Sequence, residues 1–509
     1  MKRLMDHLEG TNIRLAVTAT IIIGSFLSFI LSSPDLVNQF VMYWQTLITN
    51  YFSSYLIWIV TIVMVFTLLL IVSPYGHVTL GKDGEKPEFS RFSWFSMLFG
   101  AGIGTGILFF GVAEPIIHLQ QNPFLALENI QPVTDEAAVI AQRVTLFHWG
   151  LHGWAIYSVI GLCLGYFSYR KGLPLTIRSS LYPFIGDRIY GLTGDFIDLL
   201  AVFSTLFGIA VSLGLGASQM ASGLEYLFNI EATPLFKLGL ILVVSAIATI
   251  SAVSGVNRGI RKLSELNIWL CIILIGCLLF AGPTLAIISS IFYGSIDYLQ
   301  TFLPMGIWVD PSNEIGWQTA WTLFYWGWWV SWGPFVGMFM ARISRGRSLR
   351  EYVIGTLLVP TFIGFIWLCV LGATALDLQL NQSGNLVQAV NQDMTQALFR
   401  TFELLNLGWA TWPVALLATV LIATWFVTSS DSGTLVICTI LCSGKTNPPK
   451  ALRIFWGVII GLVAGLLLLA GGLTALQTAT TAIALPFSIV LILMILGLSK
   501  ALYQTEKRN

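Results

Sequence analysis

Apolar residues fill this chain in long blocks, and the short polar segments between the blocks carry nearly all of its charge. A helix needs about 20 apolar residues to cross a bilayer. Twelve blocks reach that length, near 15–33, 52–73, 93–113, 137–167, 191–226, 234–254, 266–293, 315–341, 351–375, 410–442, 452–471 and 476–500. In lipid, each unpaired backbone group of an open sheet costs several kcal/mol, so the blocks must be helices. The pattern predicts an all-α polytopic membrane protein with twelve transmembrane helices. Segment 294–314 is too polar to cross. Its mixture of Tyr, Leu, Phe and Trp fits a helix lying along the outer interface or an ordinary loop.

Composition sharpens this picture. Of 509 residues, 56% are hydrophobic and 10% charged, where a soluble chain carries roughly 25% charged residues. Most of the chain must therefore face lipid or protein, and the bilayer is the expected partner. A formal net charge of +1 excludes a basic nucleic-acid binder and an acidic tail. Residues 1–14 are polar and the apolar run after them outlasts a signal peptide, so no cleavable signal is expected.

The basic residues set the orientation. Lys2, Arg3 and Arg14; Lys82, Lys86 and Arg91; Arg170, Lys171, Arg178 and Arg188; Arg258, Arg261 and Lys262; Arg342, Arg345, Arg347 and Arg350; Lys445, Lys450 and Arg453; and Lys500, Lys507 and Arg508 all fall on one side. They make 23 of the 26 Lys and Arg, with Arg143, Lys237 and Arg400 elsewhere. The opposite loops carry acids such as Asp35, Glu128, Asp297 and Asp310. Positive charge stays inside, so both termini are expected in the cytoplasm.

Catalytic chemistry finds no foothold. The six cysteines lie in or beside apolar blocks without CxxC spacing, and the five histidines are scattered with no HExxH. No nucleophile–base pair emerges, so neither an enzyme nor an organic cofactor is expected.

Two blocks depart from plain lipid-facing helices. The third holds Gly100, Gly102, Gly104, Gly106 and Gly111, and each glycine costs about 1 kcal/mol relative to Ala inside a helix. Spacing of four at Gly100/Gly104 and Gly102/Gly106 fits a close-packing face. The alternation instead fits an unwound stretch whose backbone faces a ligand. The eighth block holds Gly333-Pro334, expected to interrupt its helix because proline lacks the N–H and clashes with the preceding turn. A pair of interrupted helices, one per half, points to a transport site at the bilayer midplane. The third block opens one run of five helices and the eighth another, which fits a five-plus-five inverted repeat after two extra helices. The expected divisions are 1–92, 93–293 for the first repeat, 294–314 for the connecting helix, 315–502 for the second repeat and 503–509 for a short tail.

Aromatics gather beside these two blocks. Trp326, Trp328, Trp329 and Trp332 fall within two turns, too close together for all to join an interfacial belt. The fourth block adds His148, Trp149, Trp154 and Tyr157. Core packing is one account of the two clusters. The other is a box for a quaternary ammonium, each ring giving roughly 0.5–2 kcal/mol by cation–π attraction. No Asp or Glu is expected among the rings, which suits a methylated cation with no N–H to donate. A carboxylate on the same ligand would find free N–H groups in the glycine stretch.

Four segments, GAGIGTGILFFGVAEP (100–115), HWGLHGWAIY (148–157), YWGWWVSWGPFVGMFMARISRGRS (325–348) and WFVTSSDSG (425–433), resemble the betaine/choline/carnitine transporter family. The likeness extends from the first block to the twelfth. It implies a LeuT-like fold, a homotrimer in the cell (inner) membrane, and sodium-coupled uptake of glycine betaine by alternating access. A proton-coupled or exchange carrier for choline, carnitine or another methylated solute is the alternative. By the resemblance, Trp149, Trp154, Tyr157 and Trp329 form the cage, Trp328 and Trp332 line the cavity, and Ala101, Gly102, Ile103, Gly104 and Gly106 face the substrate. Choline-specific relatives often carry Asp at the position of Gly106, so glycine here implies a zwitterionic substrate.

The resemblance also implies a main sodium site at Gly100, Ile103, Trp425, Thr428 and Ser429, whose oxygens suit a hard cation. Sodium-independent exchangers fill it with an arginine, where this chain has Ile268. A second sodium site is implied at Thr205 and Phe335, but Ile209 replaces its other threonine. Asp431 is an intramembrane acid, expected either to act in transport or to cap an unwound TSSDSG stretch. Glu114-Pro115 is expected to end the third helix at the outer side. The short tails imply that osmotic activation through long charged tails is absent or different.

Overall fold

The computed structural model describes residues 9–102, 104–254, 260–311, 316–382 and 384–506. Lys2, Arg3, Ile103, Arg258, Lys507 and Arg508 lie outside them. The described chain is helical throughout, with one isolated antiparallel bridge between Thr79 and Ser348.

The long helices are α1 (Ile13–Ser32), α2 (Pro34–Val72), α3 (Arg91–Gly102), α4 (Thr105–Gln120), α5 (Asp135–Trp149), α6 (Leu151–Gly165), α7 (Leu192–Phe228) and α8 (Pro234–Ser254). They continue as α9 (Ile260–Ala281), α10 (Thr284–Ile307), α11 (Phe324–Ile343), α12 (Leu349–Asn381), α13 (Thr411–Leu441) and α14 (Lys450–Glu506). Nine described stretches are long and apolar enough to cross a membrane on length and composition. One of them, α14, is broken at Gly471 and Gly472, as the gap between the last two blocks predicts.

Burial separates the helices into two classes. All of α6 and nearly all of α11 are buried, so their apolar surfaces face protein on every side. In α1, α8 and α9, exposed Ile21, Leu31, Ile250 and Phe280 leave a broad apolar face outward, as lipid requires. α6 and α11 pack on each other, α11 packs on α7, and α7 packs on α13 and α14. The functional candidates therefore sit in the interior of the bundle.

Several boundaries differ from the sequence pattern. α2 starts at Pro34, well before residue 52, because proline at the first helical position has its φ preset. α9 stops at Ala281, and Pro283 starts α10 ahead of residue 294. The connecting segment is thus a helix up to Ile307. Arg143, one of the three basic residues off the charge pattern, pairs with Asp297 of α10 at 2.6 Å and with Glu128.

Candidate functional site

The third block breaks where its glycines alternate. α3 ends at Gly102, Gly104 is extended at φ −118°, ψ −169°, and α4 begins at Thr105. Pro115 does not end this helix, which runs on to Gln120. Proline costs one backbone bond there, and neighbouring helices tolerate the loss. Glu114 accordingly lies inside the bundle, fully buried, rather than at an outer terminus.

The fourth block breaks as well, which the sequence pattern did not predict. Gly150 lies between α5 and α6 with φ −89°, ψ −148°. The freed backbone N–H of Leu151 donates to Tyr298 Oη of α10 at 2.8 Å. A side chain at Gly150 would sit 2.5 Å from that oxygen and 2.7 Å from the Leu146 carbonyl. The break sets Trp149 at the end of α5 and Trp154 in the first turn of α6.

The eighth block is not interrupted. α11 runs unbroken through Gly333 and Pro334, preceded by a π-helical turn at Thr319–Leu323. Its glycines serve packing instead. A Cβ at Gly333 would meet Ile160 Cδ1 at 2.4 Å, and one at Gly337 would meet Ile160 Cγ2 at 2.6 Å. Spacing of four brings α11 against α6 along this seam. The pair of interrupted helices is therefore the third and fourth, not the third and eighth.

Between these elements the aromatic rings form successive walls. Trp149 and Trp329 stand 5.2 Å apart at 83°. Tyr157 and Trp329 stand 5.7 Å apart at 81°, and Trp154 meets Tyr157 at 5.7 Å and 81°. Trp328 stacks on Trp329 at 5.6 Å, and Trp332 meets Trp328 edge-on at 6.3 Å.

The indoles are held by their N–H groups. Trp329 donates to the His148 carbonyl at 3.0 Å, Trp328 to Ser212 Oγ at 3.2 Å and Trp332 to the Gly208 carbonyl at 2.7 Å. Tyr157 Oη is buried and has no partner among the described residues. At Gly106 a Cβ would stand 2.4 Å from Trp328 and 2.9 Å from Trp149, so that position must be small while these rings keep their places.

A carboxylate does lie among the rings, against the expectation. Glu114 Oε2 accepts from Trp149 Nε1 at 3.0 Å and from Tyr325 Oη at 2.5 Å. Its Oε1 lies 2.7 Å from His148 Nδ1 and 3.4 Å from His118 Nε2. Three of the five histidines thus gather here rather than scattering, with His152 stacked on Trp326 at 5.4 Å. The packing of α4 on α5 makes this meeting, across 34 residues of sequence.

One residue of the candidate cation site, Ser429, lies at the break in the third block. A Cβ at Gly104 would lie 3.8 Å from Ser429 Oγ and 3.5 Å from Trp332. Thr428 Oγ1 donates to the Trp425 carbonyl at 2.9 Å, and Asn267 Nδ2 approaches it at 3.5 Å. The α9 residue facing Thr428 is thus Asn267, beside Ile268, and its Oδ1 is buried without a partner among the described residues. Gly100 lies in α3, and Ile103 falls outside the described residues.

At the second candidate site, Thr205 Oγ1 is buried without a described partner and Phe335 packs on Trp332 at 5.4 Å. Ile209 is turned to α13, where its Cδ1 lies 1.9 Å from any Cβ placed on Gly433.

The TSSDSG stretch is helical within α13, not unwound. Asp431 therefore caps no free backbone end. It accepts from Ser251 Oγ of α8 at 2.5 Å and from Ser432 Oγ at 3.0 Å.

Residues 14–507 match the BCCT, betaine/carnitine/choline family transporter. The chain belongs to this family. It is 43% identical over 459 residues to a probable glycine betaine transporter of Desulfitobacterium hafniense (strain Y51), covering 90% of each chain. It is 41% identical over 498 residues to a glycine betaine transporter of Acinetobacter baylyi, covering 98% of this chain and 74% of that one. With the glycine betaine transporter OpuD of Bacillus subtilis it shares 41% over 507 residues, 99% of this chain and 96% of that one. As a BCCT member it is a multi-pass membrane protein of a transporter family. Its aromatic walls, its two broken helices and its buried carboxylate lie together in the interior of the bundle.

Proposed function

We propose that the protein carries glycine betaine across the cell membrane together with sodium, by alternating access around the rings of Trp149, Trp154, Tyr157 and Trp329. The reading rests on one observation, the succession of near-perpendicular aromatic walls with neighbouring centroids 5.2–5.7 Å apart. A cation is attracted within about 6 Å of a ring centroid, and rings this close together share one trimethylammonium group once they part to admit it. The break at Gly104 supplies backbone N–H groups for the substrate carboxylate. Gly106 suits a zwitterion better than choline, because an added side chain would enter the indoles. The proposal includes twelve crossings, both termini in the cytoplasm and a homotrimer.

Sodium coupling is supported by the hydroxyl of Ser429 beside the break, with the Thr428 hydroxyl next to it in sequence. One sodium moving down about 100 mV and a tenfold gradient releases roughly 3.7 kcal/mol, enough for about 500-fold accumulation. A second ion at Thr205 and Phe335 would square that figure.

A proton-coupled carrier is the second reading. The observation favouring it is the buried hydrogen bond between Glu114 and His148, groups able to exchange a proton.

Labelled betaine uptake into liposomes, with sodium replaced by potassium, decides between the two. Sodium symport requires near-complete loss of uptake in potassium; unaffected uptake that follows a pH gradient would replace it with the proton reading. Trp329→Ala should lose most betaine binding, measured by tryptophan fluorescence, and unchanged affinity would remove the cage.

A further inference from the structure

We propose that the Glu114 carboxylate tunes the cage through the Trp149 indole, and so sets the preference for an onium group over an uncharged group of the same shape. The inference rests on the betaine reading above and assigns a specificity role to a residue outside the ring walls.

The hydrogen-bond partners fix the character of this group. Trp317 Nε1, which can only donate, lies 3.2 Å from His118 Nδ1. That nitrogen therefore accepts, and His118 Nε2 carries the hydrogen that faces Glu114. Thr322 Oγ1 lies 3.1 Å from His148 Nε2 and has no other hydrogen-bond partner among the described residues; with that hydroxyl as donor, the His148 Nδ1–H faces Glu114. With Trp149 and Tyr325, four donors converge on the two carboxylate oxygens. An ionised carboxylate accepts at every lone pair and has nothing to donate, so it fits this setting. No arginine or lysine is among these partners, so the charge stays uncompensated within the cluster.

Glu114, His118 and His148 also place three ligand atoms within 4.8 Å of one another. Both histidines, however, present hydrogens to the carboxylate, not lone pairs to an ion. The cluster is built to hold an anion.

Trp149 joins that anion to the cage. Its N–H donates to Glu114 while its ring stands against Trp329. Hydrogen bonding to a carboxylate pushes electron density onto the indole, and a more negative face attracts a cation more strongly. The charge also acts directly. At roughly 8 Å and an effective dielectric of about 20, one unit charge changes cation binding by about thirtyfold.

The test compares two ligands on the purified protein: glycine betaine and 3,3-dimethylbutanoate, in which carbon replaces the charged nitrogen. Glu114→Gln should shift the ratio of the two affinities by about thirtyfold toward the carbon analogue, since the carboxylate that both ligands carry feels the lost charge alike. An unchanged ratio, whether both ligands weaken alike or neither changes, would mean that Glu114 only supports packing or plays no part; either result overturns the inference. If Glu114→Gln does not fold, Trp149→Phe keeps a ring wall and deletes the N–H link. A smaller shift in the same direction is expected, because the charge of Glu114 remains, and loss of both ligands alike again overturns the inference. Wild-type protein that binds neither ligand would sink the betaine reading itself.

Discussion

The fourth and eighth blocks both deliver tryptophans to the aromatic walls, yet the one without a proline is broken and the one with a proline is continuous. At Gly150 the chain leaves the helix because a long-range partner, Tyr298 Oη, accepts the freed Leu151 N–H. At Pro334 the backbone lacks one donor, but no partner draws the chain away. Gly333 and Gly337 instead let α11 close on α6. A helix in a membrane breaks where the released backbone finds a new bond, not merely where a residue disfavours helix.

The sharpest way to break this comparison is Gly150→Ala. The added carbon would meet the Leu146 carbonyl, which is backbone and cannot swing aside, as well as Tyr298. A loss of about 3 kcal/mol in stability and nearly complete loss of betaine uptake are expected. Thermal unfolding and liposome uptake measure the two effects, and normal uptake would show that the break is incidental to the site. A smaller version is Tyr298→Phe, which leaves the buried Leu151 N–H unpaired at a cost of about 1–3 kcal/mol.

These two breaks also show how far the sequence could be read. The third-block break was legible because glycines alternate over seven residues, a signal carried by local sequence. The fourth-block break was not, because its cause lies 147 residues away in Tyr298. Two aromatic clusters, at 149–157 and 326–332, were legible from helical spacing, whereas the grouping of 149, 154, 157 and 329 came from the family resemblance. Glu114 was misread because the following proline resembles a helix end, whereas its partners lie on α5 and near residue 325. Local pattern marked the two aromatic clusters; tertiary packing alone placed Glu114 behind them.

The packing seam of the eighth block gives a middle-sized test. At Gly337 an added carbon meets Ile160 Cγ2 at 2.6 Å, Ile160 Cβ at 2.8 Å and the Gly161 backbone nitrogen at 3.0 Å. At Gly333 the closest obstacle is only the tip of Ile160, at 2.4 Å. Gly337→Ala should therefore cost about 2 kcal/mol and Gly333→Ala about 1 kcal/mol. Adding Ile160→Val, which removes that tip, should restore Gly333→Ala but not Gly337→Ala. Thermal unfolding of the four proteins checks the pattern, and equal costs at both glycines would argue against the seam.

Pro334→Ala carries the smallest expected effect and the most direct consequence for the comparison. Alanine restores an N–H facing the carbonyl of Val330, one turn earlier in a helix that is already formed. Propensity favours alanine, while the surrounding helices already tolerate the missing bond. Stability should rise by about 1 kcal/mol or stay level, and betaine affinity should hold because no ring moves. Uptake should stay within about twofold of wild type. Were Pro334 instead a hinge, the variant would bind betaine normally and fail to release it on the other side. Binding retained with uptake lost would thus return the interruption to the eighth block, and the fourth and eighth blocks would have to be treated as alike.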